Sequence, residues 1–468
     1  LSPLPNKPPP LFPHQQELLD RTWELSAWAI FWQTGCGKTS PVIHTAARLF
    51  QRQKIDGAIV VAPNMVHRNW ISDEIPRHSS IAWRGLDWHS SRAKAQDRAF
   101  AQFLEGRDRV ELPWLAITFD GLLTPRGRQA VLDFKARFPR LMLVIDESSR
   151  VKNPEAQRTK KVAALSKLAT HVRILNGTPV GSSATDVYAQ LKILDDQFWI
   201  RHGFGSWTAF QSRFCVMRKI VIGGEDDREA RGKWEPTVPH DADPEAVAMY
   251  EQLDLTGIIS ETPAPTRARS VAPAAVGRTI EVPVGYRDLD KLHEMIQPIS
   301  SRLTKEQAGL NLPPKLYQRL VFELAPDQRR VYDQLRKEYM VELEGGVLVT
   351  AALAMVRILR LQQVASGYLP NPDDPEGDPI LVPRTENPRL RAFMDWLEDV
   401  GKQQVIVWAR FTHDVDLICR EIGPPRCVRF DGEVGEKDKA KALELFKGGD
   451  RQICVAKASS MGMGLTLV

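Results

Sequence analysis

The chain has 468 residues, enough for two or three domains with sizeable cores. Hydrophobic residues make up 43% and charged residues 26%, ordinary globular values that exclude disorder as the default state. The net charge of +5 and pI of about 8.9 admit an acidic partner such as nucleic acid without requiring one.

The N-terminus is rich in proline (Pro3, Pro5, Pro8, Pro9, Pro10, Pro13) and lacks the apolar core of a signal peptide. No apolar run reaches bilayer length. The five cysteines, Cys36, Cys215, Cys419, Cys427 and Cys454, form no C-x-x-C pair, and no His cluster has metal-binding spacing. They read as buried thiols of a soluble, cytoplasmic protein.

From residue 14 to about 195, strand-like and helix-like segments alternate. The pattern predicts strands at 29–33, 57–62, 114–118, 141–145 and 171–175 in a parallel sheet with helices on both faces. Ligands of such sheets sit at the C-terminal strand ends. The first strand leads into Thr34-Gly35-Cys36-Gly37-Lys38-Thr39 and then a helix. Triphosphate binding needs this order: glycines let backbone N–H groups close on phosphates, Lys38 adds a point charge, and the Thr39 hydroxyl meets a Mg²⁺ ion. Trp32 stands where the long form of the motif has its first glycine, so the shorter T-G-x-G-K-T form applies. A chance G-K-T in a turn is the competing account.

Leu141 to Ile145 end in Asp146-Glu147-Ser148-Ser149. Buried carboxylates at a strand tip are costly without a task. Asp146 suits the magnesium, directly or through water, and Glu147 suits orienting and deprotonating the attacking water. A plain acidic turn is the alternative, and it loses weight beside the phosphate loop. Together the two motifs read as nucleotide hydrolysis.

Residues 223–283 are charged, Pro- and Ala-rich and weakly periodic, which reads as an insertion or linker. A second α/β pattern runs from Leu316, with predicted strands at 316–322, 404–408, 427–430 and 452–455. Helices are predicted at 325–344, 348–365, 387–400, 411–421 and 435–446, and an acidic, proline-rich loop at 370–383. It has no phosphate loop of its own, which suggests paired lobes sharing one nucleotide in the cleft between them. Trp28, Trp32 and Trp408 read as core, while Trp70 fits either core or base stacking. Asn64 and Arg68 fit either phosphate contact or the capping and solvation of the helix that follows. Arg410 fits a solvated turn and a cleft contact equally, and Arg357 with Arg360 fits either a DNA-facing stripe or a snorkelling pair.

In their order, these residues resemble the Swi/Snf-type ATPases of helicase superfamily 2, particularly the compact versions found in phages and prophages. Phe12-Pro13-His14-Gln15 is similar to the family's glutamine motif, which implies that Gln15 reads the adenine edge. Thr34 to Thr39 match its phosphate loop. Val60-Val61-Ala62-Pro63-Asn64, with Trp70 and Glu74, is similar to a motif on the nucleic-acid backbone. Asp146-Glu147-Ser148-Ser149 with Lys152-Asn153 resembles the acidic box, with Ser-Ser where many members have Ala-His. Leu175-Asn176-Gly177-Thr178-Pro179-Val180 is close to L-T-G-T-P, which couples the nucleotide and nucleic-acid sites.

Leu312-Pro313-Pro314-Lys315 with Gln328 to Tyr332, Val405 to Phe411, Asp431-Gly432, and Ser459-Ser460-Met461-Gly462-Met463-Gly464-Leu465 resemble the later motifs. The resemblance implies two RecA-like lobes with ATP and DNA clefts between them: 1–215, an insertion at 216–285, and 286–468. It implies nucleotide contacts from Gly462 and Gly464. It also implies DNA contacts from Asn64, Arg68, Gly177, Thr178, Arg410, Ser459 and Ser460, with ATP and Mg²⁺ as cofactors. The family's last motif, carrying an arginine finger, is absent before Val468, so either the sequence stops short of it or hydrolysis is weak or completed by a partner. The expected activity is ATP-driven translocation on double-stranded DNA without sequence preference. A strand-separating helicase and a nucleotide-dependent scaffold remain as alternatives.

Overall fold

The computed structural model describes residues 8–89, 93–106, 110–177, 184–222, 278–310, 313, 315–344, 351–369 and 381–461. It divides into two compact units, Leu1–Leu312 and Pro313–Val468. The strands in chain order are β1 (Ala27–Trp32), β2 (Gly57–Ala62), β3 (Trp83–Trp88), β4 (Leu112–Thr118), β5 (Leu141–Ile145), β6 (His171–Leu175), β7 (Cys215–Ile222), β8 (Arg278–Tyr286), β9 (Ser300–Leu303), β10 (Val405–Trp408), β11 (Cys427–Phe430) and β12 (Ile453–Ala456).

The first unit is built on a seven-stranded sheet of order β3-β4-β2-β5-β6-β1-β9, every adjacent pair parallel. Side chains alternate between its faces, so each apolar strand feeds two cores. Ala29, Phe31, Ile59, Val61, Leu143 and Ile145 join one cluster. Trp28, Ile30, Trp32, Ala58, Val60, Met142 and Val144 join the other. Helix Thr39–Gln51 covers the second face through Val42, Ile43, Ala46 and Leu49.

Arg173 on β6 is fully buried, and burial pulls its guanidinium down to about 9. Its two terminal nitrogens donate to the carbonyls of Val172, Thr22 and Leu25 at 2.8–3.0 Å. It thereby fastens β6 to the end of helix Pro13–Thr22, whose final carbonyls need donors.

The second unit holds a three-stranded parallel sheet, β10-β12-β11, over a core that includes Leu397, Val405, Val415, Ile453 and Val455. Its helices Pro326–Glu344, Ala351–Ser366, Pro388–Val400, Thr412–Ile422 and Glu436–Lys447 follow the periodicity of the sequence. The fold is therefore α/β with two separate parallel sheets. Among the described residues no helix is long and apolar enough to cross a membrane.

Four expectations are corrected. The second unit starts at Pro313 rather than 286, because β9 pairs with β1 in the first sheet. The 216–285 block is not linker throughout: β7 and β8 form an antiparallel ribbon with an irregularity between Val216 and Met217. Residues 316–322 form no strand, and Leu316, Tyr317 and Val321 are largely exposed. Trp408 is 50% exposed rather than core, because β10 is an edge strand and this residue lies at its end.

Candidate functional site

Three adjacent strands of the first unit, β5, β6 and β1, end on one rim of the sheet and lead into the candidate residues. After β1, the phosphate loop turns through Gly35 (φ +94°) and Gly37 (φ +70°), backbone states that favour glycine. Helix Thr39–Gln51 then starts directly behind Lys38. Cys36 is buried within the loop, and burial pushes its thiol above the ordinary cysteine range.

Gln15 holds the loop from one side. Its Oε1 accepts from Phe12 N at 2.9 Å, and its Nε2 donates to Gly37 O at 3.0 Å. A Cβ on Gly37 would lie 2.3 Å from that nitrogen and would push the Gln15 amide off the loop, while the positive φ independently favours glycine. His14 Nε2 lies 3.0 Å from Cys36 O. From β6, Asn176 N donates to Ile30 O at 3.1 Å, and Gly177 packs so closely that its Cβ would sit 2.9 Å from Thr34 Oγ1.

Lys38 Nζ donates to Trp32 O at 3.0 Å. Burial holds its ammonium below the ordinary lysine range, while Asp146 and Glu147 favour the charge. Asp146 N donates to Val61 O at 2.9 Å. The carboxylate accepts from Trp70 Nε1 at Oδ2 and from Glu147 N at Oδ1, both at 2.9 Å. Burial nevertheless raises Asp146 above the usual carboxylate range, because desolvation outweighs those bonds and Lys38. Glu147 is also raised, first by burial and then by Asp146. Its backbone is left-handed (φ 53°, ψ 54°), a strained state for glutamate of the kind that gathers at functional positions.

The oxygens of Thr39 and Asp146 are hard donors of the type magnesium takes. Among the described residues no group of three or more His, Cys, Asp or Glu side chains could hold a metal alone. That set suits an ion completed by phosphate oxygens and water. The Ser-Ser departure in the acidic box is accommodated locally: Ser148 is buried and donates to Gln190 Oε1 at 2.6 Å.

The remaining candidates are dispersed. Asn64 Oδ1 accepts from Met65 N at 3.0 Å, and Arg68 Nε pairs with Asp87 Oδ2 at 3.2 Å. Arg410, Ser459 and Ser460 belong to the second unit, where Arg410 donates to Gln362 Oε1 and Ser459 and Ser460 lie in the short helix Ala458–Met461. Thr178, Gly462 and Gly464 fall outside the described residues. Sequence reasoning left Trp70 undecided. It is buried at the start of the π-helical turn Trp70–Glu74 and holds the acidic box, a role whose one local signal was its position after the Asn64 motif.

A family model described as the SNF2-related domain matches residues 29–366. The chain is similar to the SWI/SNF-related matrix-associated actin-dependent regulator of chromatin subfamily A-like protein 1 of Xenopus laevis, 21% identical over 441 residues, covering 92% of this chain and 35% of that protein. It is also similar to the DNA annealing helicase and endonuclease ZRANB3 of Mus musculus, 19% identical over 334 residues, covering 69% of this chain and 24% of that protein. The chain thus spans about a third or less of the length of these relatives. Among solved structures it is similar to the Sulfolobus solfataricus SWI2/SNF2 ATPase core in complex with dsDNA, with TM-score 0.42 and 15% identity, covering 98% of this chain and 80% of that one. On the extent of the match over residues 29–366, this chain belongs to the SNF2-related domain family.

Proposed function

We propose that the protein hydrolyses ATP and uses the cycle to move along double-stranded DNA, which it holds through phosphates rather than bases. The observation that carries the reading is the meeting of a glycine loop, a half-buried ammonium and two carboxylates at the ends of β1 and β5. Family membership supports DNA as the track, as does a relative named as a DNA annealing helicase.

In this reading Lys38 neutralises the β- and γ-phosphates, and Gln15 sets the loop and meets the adenine edge. Thr39 and Asp146 would hold Mg²⁺, which on binding supplies charge neutralisation at the phosphates. Glu147 positions the attacking water and takes its proton as the bond to the γ-phosphorus forms and the bond to the departing ADP breaks. Gly177, packed on Thr34, and Thr178 relay the nucleotide state, while Asn64, Arg68, Arg410, Ser459 and Ser460 contact the DNA backbone. Gly462 and Gly464 complete the nucleotide contacts.

The test is ATP turnover with and without duplex DNA across a salt series, followed by triplex displacement. Duplex-stimulated turnover, affinity falling steeply with salt and strand displacement from a triplex are the expected results. Turnover indifferent to DNA would favour a scaffold, and unwinding of a forked duplex would favour a strand-separating helicase.

A further inference from the structure

The turn after β9 is fastened to the phosphate loop. Gln33 N donates to Leu303 O at 2.9 Å, and Gln33 Oε1 accepts from Lys305 N at 2.9 Å. Within the turn, Thr304 N donates to Gln307 Oε1 at 3.0 Å, Gln307 N to Thr304 Oγ1 at 3.2 Å, and Leu310 N to Lys305 O at 3.2 Å. Leu303, Ala308 and Leu310 pack against the core cluster that contains Trp32, Cys36 and Val42. Hydrogen bonds and apolar packing therefore fix the backbone on which Lys305 stands.

That backbone lays the lysine over the loop. A Cβ built on Gly35 would lie 3.4 Å from Lys305 Cε and 3.8 Å from its Nζ. Gly35 is exposed and Lys305 half-buried. Among the described residues no carboxylate lies within ion-pair distance of Lys305, and the adjacent Glu306 accepts from its own backbone N–H and the Thr304 hydroxyl. An ammonium held over a glycine loop, with Glu306 near enough to feel its charge but not in ion-pair contact, suits a polyanion.

We propose that Lys305 is a second phosphate-binding cation of the nucleotide site, acting on the same triphosphate as Lys38. Where Lys38 comes from the loop itself, Lys305 comes from the segment that runs from the first sheet towards Pro313, so this segment takes part in nucleotide binding. The inference rests on the nucleotide reading of the site and adds to it a residue far from the phosphate-loop motif.

The experiment is ATP titration of the full chain by calorimetry over a salt series, comparing wild type, Lys305→Met and Lys305→Arg, with the thermal transition of each variant recorded without nucleotide. Lys305→Met is expected to weaken ATP binding about tenfold or more and to flatten its salt dependence, at an unchanged transition temperature. Lys305→Arg, which keeps the charge, should bind within about threefold of wild type. Equal binding by wild type and Lys305→Met overturns the role of Lys305 alone. Equal loss in Lys305→Met and Lys305→Arg, with a lowered transition, overturns it in favour of a purely structural lysine. A wild-type chain that binds no ATP overturns the nucleotide reading and this inference with it.

Discussion

Trp70 Nε1 donates to Asp146 Oδ2 at 2.9 Å, joining a π-helical turn to the acidic box across 76 positions of sequence. The indole N–H offsets part of the desolvation of a carboxylate whose proton affinity burial already raises. Trp70→Phe keeps most of the ring and removes the donor. A hydrogen bond to a charged group is worth about 1.5–3 kcal/mol, so stability should fall by an amount of that order. The Mg²⁺ concentration needed for half-maximal turnover should rise several-fold. An unchanged magnesium dependence would sink the argument that Trp70 tunes the carboxylate proposed to hold the metal.

Glu147→Gln should retain ATP binding and lower turnover by about 10²–10⁴-fold. The pH profile carries a second signature. Because burial and Asp146 raise Glu147 above the usual glutamate range, the active carboxylate form fills at higher pH than a solvated glutamate would. Turnover should therefore climb with pH along an acid limb shifted upward. That limb should be missing from the residual activity of Glu147→Gln; its persistence would assign the base elsewhere.

Gly37→Ala places a methyl where Gln15 Nε2 lies and forces alanine to φ +70°. The left-handed backbone alone costs about 1–2 kcal/mol. Displacement of Gln15 should weaken ATP binding tenfold or more while the rest of the unit stays folded. A titration matching wild type would show that the contact between Gln15 and Gly37 does not shape the loop.

His171 sits half-buried at the start of β6, where burial, then Arg173 and Lys54, pull its imidazole down to about 4. Between the ordinary value of 6.5 and about 4, the unfolded chain takes up a proton that the folded chain refuses. Stability is therefore lost as pH falls through this window, by at most about 3 kcal/mol and less after solvent screening. In His171→Asn the denaturation free energy should vary less between pH 6.5 and 4 than in wild type. Identical slopes for the two proteins would remove His171 from the acid response.

The sequence was legible where local pattern decides structure. β1, β2, β4, β5 and β6 are short apolar runs because both faces of a central parallel strand are covered. β3 (Trp-Arg-Gly-Leu-Asp-Trp) and β9 (Ser-Ser-Arg-Leu) are edge strands, half-covered for the most part, and carry no such run. The same property misled at Trp408: Val405 does join the core, but β10 is an edge strand and Trp408, at its end, is half exposed. Residues 316–322 have the composition of a strand but form none. Lys38, Asp146 and Glu147 could be proposed from sequence because a phosphate loop and an acidic box are local motifs, and the fold brings the three within electrostatic reach of one another. The contact of Trp70 with Asp146 and that of the Lys305 turn with Gln33, 272 positions apart, are made by tertiary packing, which no window of sequence displays.

In the β7–β8 ribbon Ile222 faces Arg278, so the chain leaves the first unit and returns to it at neighbouring points, about 5 Å apart in an antiparallel pair. The ladders of the seven-stranded sheet use no residue of the β7–β8 ribbon. For a flexible insert, each doubling of its length adds only about 0.6 kcal/mol of closure entropy. The ribbon is therefore a natural splice point: a foreign domain whose own termini lie side by side could be grafted between Ile222 and Arg278 with the register of the seven-stranded sheet preserved.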